Sequence, residues 1–374
     1  MARILDLAPP CAAYTGRLFA EAGHEVIRVE SPQGDALRRR GPFLDGAPVL
    51  ESGADHQFLN AGKQSLTLDL SNANGIEILM DLVRTADAIL FDRSLSISEQ
   101  SLVDANPALV LVGIRDDEPE LSTVARTGLL SITGQPGETP AVPGAHVSYA
   151  IVALHAAIAL SAALLVRQSK GDGQIITVSA AECLVSMLEQ AMVTYTSTGK
   201  STERRGYRGA VTAVSGAFPC ADGYWMLSVP PTPDGWERFV EWTADPALRD
   251  NPDLSSESHR SEMKDFILDR IDQWSLSSKK LDLVTEGQKR HIPSTPVATP
   301  MELVDDPQLV GRGFLRELDH PLFGNIRVPI GAIATVQSGG PARAPMLGEH
   351  TGTILSELGY SEARRRLLAE TGVV

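Results

Sequence analysis

Five short β-rich runs separated by helical segments fill the first 115 residues, and that alternation limits what the chain can fold into. ARILDLA (2–8), HEVIRVE (24–30), QSLTLDL (64–70), AILFD (88–92) and ALVLVGI (108–114) are apolar and β-branched, as strands are. AAYTGRLFAEAG and NGIEILMDLVRTA lie between them as helices. Strand–helix–strand alternation implies parallel pairing with right-handed crossovers, hence an open, doubly wound α/β sheet. No GxGxxG follows the first run, so the dinucleotide fingerprint is absent.

Val147–Val166 carries no formal charge over twenty residues, a length that could span a bilayer. It is rich in Ala, holds Ser148, His155 and Ser161, and leads through RQSKGDGQ into the β-rich run IITVS. The expectation is a helix buried on all sides in an α/β core. After residue 200 the chain changes character: all four tryptophans fall between Trp225 and Trp274. GKSTERRGYRGAV (199–211) is read as a solvated connector and VPPTPDG (229–235) as a rigid turn. QSGGPARAP (337–345) is a loop, and GEHTGTILSELG a final helix stopped at Gly359. The expected division is a large domain over 1–211 and 325–374 and a small domain over 212–324.

The formal net charge of −14 disfavours a nucleic-acid or anionic membrane partner. Cys11, Cys183 and Cys220 are far apart and form no CxxC pair. That usage fits a reducing cytoplasm, with neither a disulfide framework nor a zinc site. No basic-then-apolar leader opens the chain.

Six ordered blocks give a stronger constraint. They are GRLFAEAGHEVIRVESPQGDALRRRGP, NAGKQSLTLDL, GDGQIITVSAAE, GAFPCADGYWMLSV, DDPQLVGRGFLRELDHPLFGNIRVP and APMLGEHT. Together they resemble the class III CoA-transferases, the family of formyl-CoA transferase, carnitine CoA-transferase and the acyl-CoA racemases. The resemblance implies a Rossmann-like large domain closed by the C-terminal tail, a smaller inserted domain, and two chains threaded as interlocked rings. It implies no permanently bound cofactor, with coenzyme A or an acyl-CoA as substrate. It also implies covalent catalysis by an aspartate just ahead of the long helix.

The departures from that family gather at the chemistry. Registering the helix on AAIALSAALL puts Tyr149 at the aspartate's position. A phenol, with a reference pKa of about 10 against about 4 for a carboxylate, cannot become an aspartyl-CoA thioester. Tyr149 then either fills a vacated pocket or acts as a general acid. The family's SGFGQxGP loop is missing, and Pro119 stands at the racemase histidine with Glu120 next. Ser31 replaces a family arginine after the second strand, while Arg93 and Leu95 stand at the asparagine and arginine of the family's ENFRPG loop. The candidate ligand contacts are Arg38, Arg39, Arg40, Asn60, Lys63, Leu68, Asp69, Leu70, Ser71 and Arg93. An arginine cluster beside a turn suits a phosphorylated ligand, or is a solvated charge run.

The candidate catalytic groups are Tyr149, Glu120, His146 and Glu138. Cys11, at the end of the first strand, is a nucleophile or a small buried apolar residue. His155, two turns into the helix, reads as a core histidine. Three functions stay open: a partner subunit that lacks the nucleophile, an enzyme doing isomerase or lyase-type acid/base chemistry on an acyl thioester, and a ligand-binding relative without turnover. The expected partner is a second copy or a paralogous subunit.

Overall fold

The computed structural model describes the chain except residues 44–45, 47–48, 95–96, 116–117, 209–211 and 332–341. Leu95, part of the 199–211 connector and part of the 337–345 loop therefore lie outside the described residues. Two compact units emerge, one of residues 1–129, 143–193 and 308–374, the other of 130–142 and 194–307.

The first unit is built on six parallel strands: β1 (Arg3–Leu7), β2 (Glu25–Glu30), β3 (Gln64–Thr67), β4 (Ala88–Asp92), β5 (Val110–Arg115) and β6 (Gln174–Ser179). Their order is β3-β2-β1-β4-β5-β6. This is the doubly wound arrangement, in which the order reverses between β1 and β4 and ligands sit at the carboxyl ends of the strands there. Helices α1 (Ala13–Glu21), α2 (Ala54–Leu59), α3 (Ala73–Thr85) and α4 (Glu99–Ala105) connect the first five strands. Between β5 and β6 run α5 (Glu120–Arg126), a single turn α6 (Leu129–Ile132) and the 24-residue α7 (Val147–Lys170); α8 (Ala180–Ser186) follows β6.

The strands are apolar on both faces because both faces are covered. Leu5, Ile27, Leu66 and Ile89 meet Leu79, Leu82 and Val83 of α3 together with Ile354 and Leu355 of the tail. On the other face Ile4, Val26, Leu90 and Val112 meet Phe19 of α1 and Val152, Ala156 and Leu160 of α7. The C-terminal tail closes the first unit: His350 N–H donates to Ser65 O, Thr351 Oγ1 lies 3.1 Å from Thr67 Oγ1, and Asp69 N–H donates to Val373 O.

Burial of α7 on all sides is not what the structure shows. Val152, Ala153, Ala156, Leu160 and Ala163 face the sheet, but Leu154, Ile158 and Leu165 are 47%, 69% and 68% exposed. An uncharged helix is apolar on both faces, so hydropathy alone does not say which face has a partner within the chain. Length and composition would let α7 cross a membrane, yet its inner face forms part of the sheet's core.

The second unit carries β7 (Ser215–Cys220), β8 (Gly223–Ser228) and β9 (Ser294–Pro296) as an antiparallel sheet in the order β7-β8-β9. The tryptophans explain its cohesion: Trp225 is fully buried, with Trp242 and Trp274 packed on it at 5.9 and 6.2 Å between ring centres. Its limits differ from the expected 212–324. Tyr207 O accepts from Ala217 N–H and Gly134 O from Gly206 N–H, which ties the connector and residues 130–142 into this unit. The hairpin of β10 (Leu315–His320) and β11 (Gly324–Pro329) belongs to the first unit, where Arg17 donates to Pro329 O.

Gly16 of α1 lies against a buried ion pair, Asp6 with Lys63. A Cβ there would overlap Asp6 Oδ2 and stand 2.9 Å from Lys63 Cε. Gly16→Ala should cost about 1–3 kcal/mol through overpacking. Urea unfolding of the variant checks this, and an unchanged midpoint contradicts it.

Candidate active site

Four elements meet beside the sheet's reversal point. The turn Pro10–Ala12 after β1 supplies Cys11, the first turn of α5 supplies Glu120, the first turn of α7 supplies Ser148 and Tyr149, and α8 closes the back with Leu184. A narrow pocket lies among these residues, lined also by Thr123 and Val152.

Glu120 organises the site. One carboxylate oxygen accepts from Ser148 Oγ–H, and the other lies 2.9 Å from His146 Nδ1. A carboxylate oxygen can only accept, so Nδ1 carries the proton and Nε2 of the neutral ring keeps its lone pair. Asp55 Oδ2, from the first turn of α2, stands 3.9 Å from that Nε2. The His146 ring stacks on Tyr149 with ring centres 5.5 Å apart and a 16° interplanar angle. The Arg40 guanidinium is 5.8 Å from the Tyr149 ring centre, and its Nε is 3.7 Å from Asp55 Oδ2. Tyr149, Glu120 and His146 are thus brought together, whereas Glu138 is exposed in the second unit, its carbonyl bonded by Arg204.

His146 is held unusually. It caps α7 with φ 50°, and Ala145 before it has φ 55°. Two successive non-glycine residues in the left-handed region cost of order 1–3 kcal/mol each, and such strain concentrates at functional sites.

The arginine triplet divides. A 3₁₀ turn, Ala36–Arg39, directs the three side chains differently. Arg38 is fully buried and spends its donors on Glu30, Glu51 and Pro345 O. Arg39 donates to Gln33 O and Gly34 O. Only Arg40 reaches the site.

Asn60 and Lys63 are likewise buried: Lys63 Nζ donates to Asp6 Oδ2 at 2.6 Å and to Ala13 O and Asn60 Oδ1 at 2.8 Å. Burial pushes the Asp6 carboxyl up, but the Lys63 and Arg28 charges outweigh it and hold it below the usual carboxylate range. Arg38, Asn60 and Lys63, expected as ligand contacts, have these donors turned inward to an ion network.

Leu68 is core, while Asp69 Oδ1 accepts from Ser71 N–H and Oγ–H beside the C-terminus, with Leu70 packed on the core. Arg93 pairs with Glu99 at 3.0 Å and bonds Thr177 Oγ1. Cys11 is buried at the pocket wall. His155 Nδ1 bonds Ile151 O within the helix, as a structural histidine does. Among the described residues no cluster of three or more His, Cys, Asp or Glu is arranged to hold a metal. Asp55 and Ser148 were not read as site residues from the sequence. Asp55 gives no local signal, and Ser148 gains its role only through the approach of α5.

A doubly wound sheet in the order 3-2-1-4-5-6, closed by its own tail and with a narrow pocket beside its reversal point, defines a Rossmann-like α/β fold class. The chain belongs to CoA-transferase family III, whose model matches residues 2–351. It is 29% identical to succinyl-CoA:(R)-benzylsuccinate CoA-transferase subunit BbsE of Thauera aromatica, over 96% of this chain and 93% of that protein. It is 30% identical to succinyl-CoA:mesaconate CoA-transferase of Haloarcula hispanica, over 98% and 97%. Formyl-CoA:oxalate CoA-transferase of Streptomyces avermitilis is 27% identical over 100% and 98%. In fold the chain is similar to a CaiB/BaiF family protein of Brucella suis, with a TM-score of 0.85 and 24% identity over 96% of this chain and 98% of that one.

Proposed function

We propose that this chain is a family III member that binds CoA thioesters and carboxylates but does not supply the attacking carboxylate. It would act in an interlocked assembly with itself or with a paralogous subunit in the cytoplasm. One observation carries the reading: Tyr149, in the first turn of α7, lines the pocket at the position where the family resemblance calls for an aspartate. The covalent route runs from acyl anhydride to enzyme thioester, and a phenol cannot enter it. Two further points support the reading. One relative is named as a subunit and the others as CoA-transferases. The outer face of α7, with Leu154, Ile158 and Leu165, is apolar and open, and exposed apolar faces mark association surfaces.

A second reading has its own observation. The Glu120–His146 pair is a ready acid/base couple and suits altered chemistry on the same thioester. Three measurements test the proposal. In light scattering the chain should run as a dimer or larger; a stable species at the chain's 40.0 kDa contradicts the assembly. Transfer from succinyl-CoA to a carboxylate acceptor should stay at background for the chain alone and rise when a paralogous subunit is co-expressed. Tyr149→Asp alone should not restore transfer, because the missing loop's backbone donors are worth about 3 kcal/mol each; full rescue by that change contradicts the reading.

A further inference from the structure

Glu120 lines the pocket that, on the reading above, receives a thioester, and His146 is bonded to it. The neighbouring Ser148 hydroxyl is spent on Glu120, and a base that water can reach acts on water. We infer that this site hydrolyses CoA thioesters, with His146 as the catalytic base and Glu120 as its positioning residue. The inference rests on the proposed binding of CoA thioesters and adds an activity to it.

The geometry supports each role. Nδ1–H donates to Glu120 at 2.9 Å, which fixes the ring's tautomer, and stacking on Tyr149 fixes its plane. Glu120 is itself held by Ser148, a buried residue, so the carboxylate has little freedom to swing away. Both of its oxygens are engaged by donors, which suits an orienting group better than an attacking one. The His146 side chain is 44% exposed, and its Nε2 is beyond hydrogen-bond distance of Asp55 at 3.9 Å, so water can reach it.

The step balances with water as the sole co-reactant. Nε2 takes a proton from water as its oxygen bonds to the thioester carbonyl carbon, giving a tetrahedral oxyanion. The positive end of α7, a 24-residue helix whose first turn lines the pocket through Ser148 and Tyr149, would favour that charge. Collapse re-forms the carbonyl and breaks the C–S bond. The proton on Nε2 passes to the departing sulfur, leaving a carboxylic acid and the CoA thiol.

The test uses the purified chain with any subunit that accompanies it. Acetyl-CoA and succinyl-CoA are supplied without an acceptor, and thiol release is followed with a disulfide dye. In parallel, calorimetry measures binding of a non-hydrolysable thioether, S-ethyl-CoA. Thiol release should exceed the buffer rate and slow in deuterated water. His146→Ala should lower kcat by about 100-fold or more, the range of general base catalysis, with KM nearly unchanged. Added imidazole should restore part of it. Glu120→Gln should lower kcat less than His146→Ala, and Glu120→Asp should recover most of that loss.

His146→Gln, close in size and folded by circular dichroism, should behave as His146→Ala does. Thioether binding with thiol release at the buffer rate, or full activity in a folded His146 variant, overturns this inference and leaves the binding proposal standing. Absence of both binding and release overturns the two together.

Discussion

Lys63→Met should lower the folding stability of the first unit by about 3–5 kcal/mol, the cost of removing one partner from a buried ion pair. All three Nζ–H groups are used, on Asp6 Oδ2, Ala13 O and Asn60 Oδ1, and both members of the pair are fully buried. Methionine keeps the volume and removes the charge, leaving Asp6 Oδ2 without its cation. Arg28 stays 3.0 Å from the other oxygen, Asp6 Oδ1, and so compensates only in part. The network continues through Arg28 to Asp35, while the neighbouring pair of Glu30 and Arg38 is also fully buried. Lys63, just before β3, thus ties Asp6 at the end of β1 to Ala13 O at the start of α1, the two sides of the turn that carries Cys11 into the pocket. Urea unfolding with an unchanged midpoint in Lys63→Met contradicts this account. The double variant Asp6→Asn/Lys63→Met should recover part of the loss, because no unpaired charge then remains buried.

Stability should also fall by about 3 kcal/mol between pH 7 and pH 4 through His56 alone. His56 is fully buried; its Nε2 donates to Pro345 O at 3.1 Å, and its Nδ1 accepts from Asn60 at 3.0 Å. Burial first, then the nearby Arg38 charge, pushes its pKa from 6.5 down to about 4. The unfolded chain therefore binds a proton near pH 6.5 while the folded chain stays neutral until about pH 4. The contribution is complete above pH 6.5 and drains away as pH falls through that window. Other carboxylates also titrate there, so the test is a difference: His56→Gln should lose less stability than the wild type between the same two pH values. Equal losses in the two proteins contradict the assignment.

The strands were legible because their apolar, β-branched runs are bounded by glycine and polar turns; β1 to β4 fall inside the runs read from the sequence, and β5 runs one residue past its own, to Arg115. The end of α7 was marked by its last turn, with Gly171 at φ 81° closing it. The meeting of Tyr149, His146 and Glu120 followed in part from the family register. It needed the approach of α5 to α7 to become a hydrogen bond.

Other features were hidden because they depend on distant contacts. Nothing local separates Arg38 from Arg40 in RRR: Glu30, Glu51 and Pro345 draw one inward, and Asp55 holds the other at the site. Lys63 lies in a block that suits a ligand equally well, and only the proximity of Asp6 shows where its charge goes. The limits of the second unit depended on hydrogen bonds from 134 to 206 and from 207 to 217, which no compositional boundary marks.

The central claim is that this chain offers no carboxylate to carry the acyl group or CoA. Intact-mass spectrometry after incubation with succinyl-CoA, with and without borohydride or hydroxylamine trapping, tests it most directly. The account predicts a chain of unaltered mass under every condition, even where thiol is released. A chain heavier by CoA, or a carboxylate reduced or converted to a hydroxamate at Glu120 or Glu138, would contradict it.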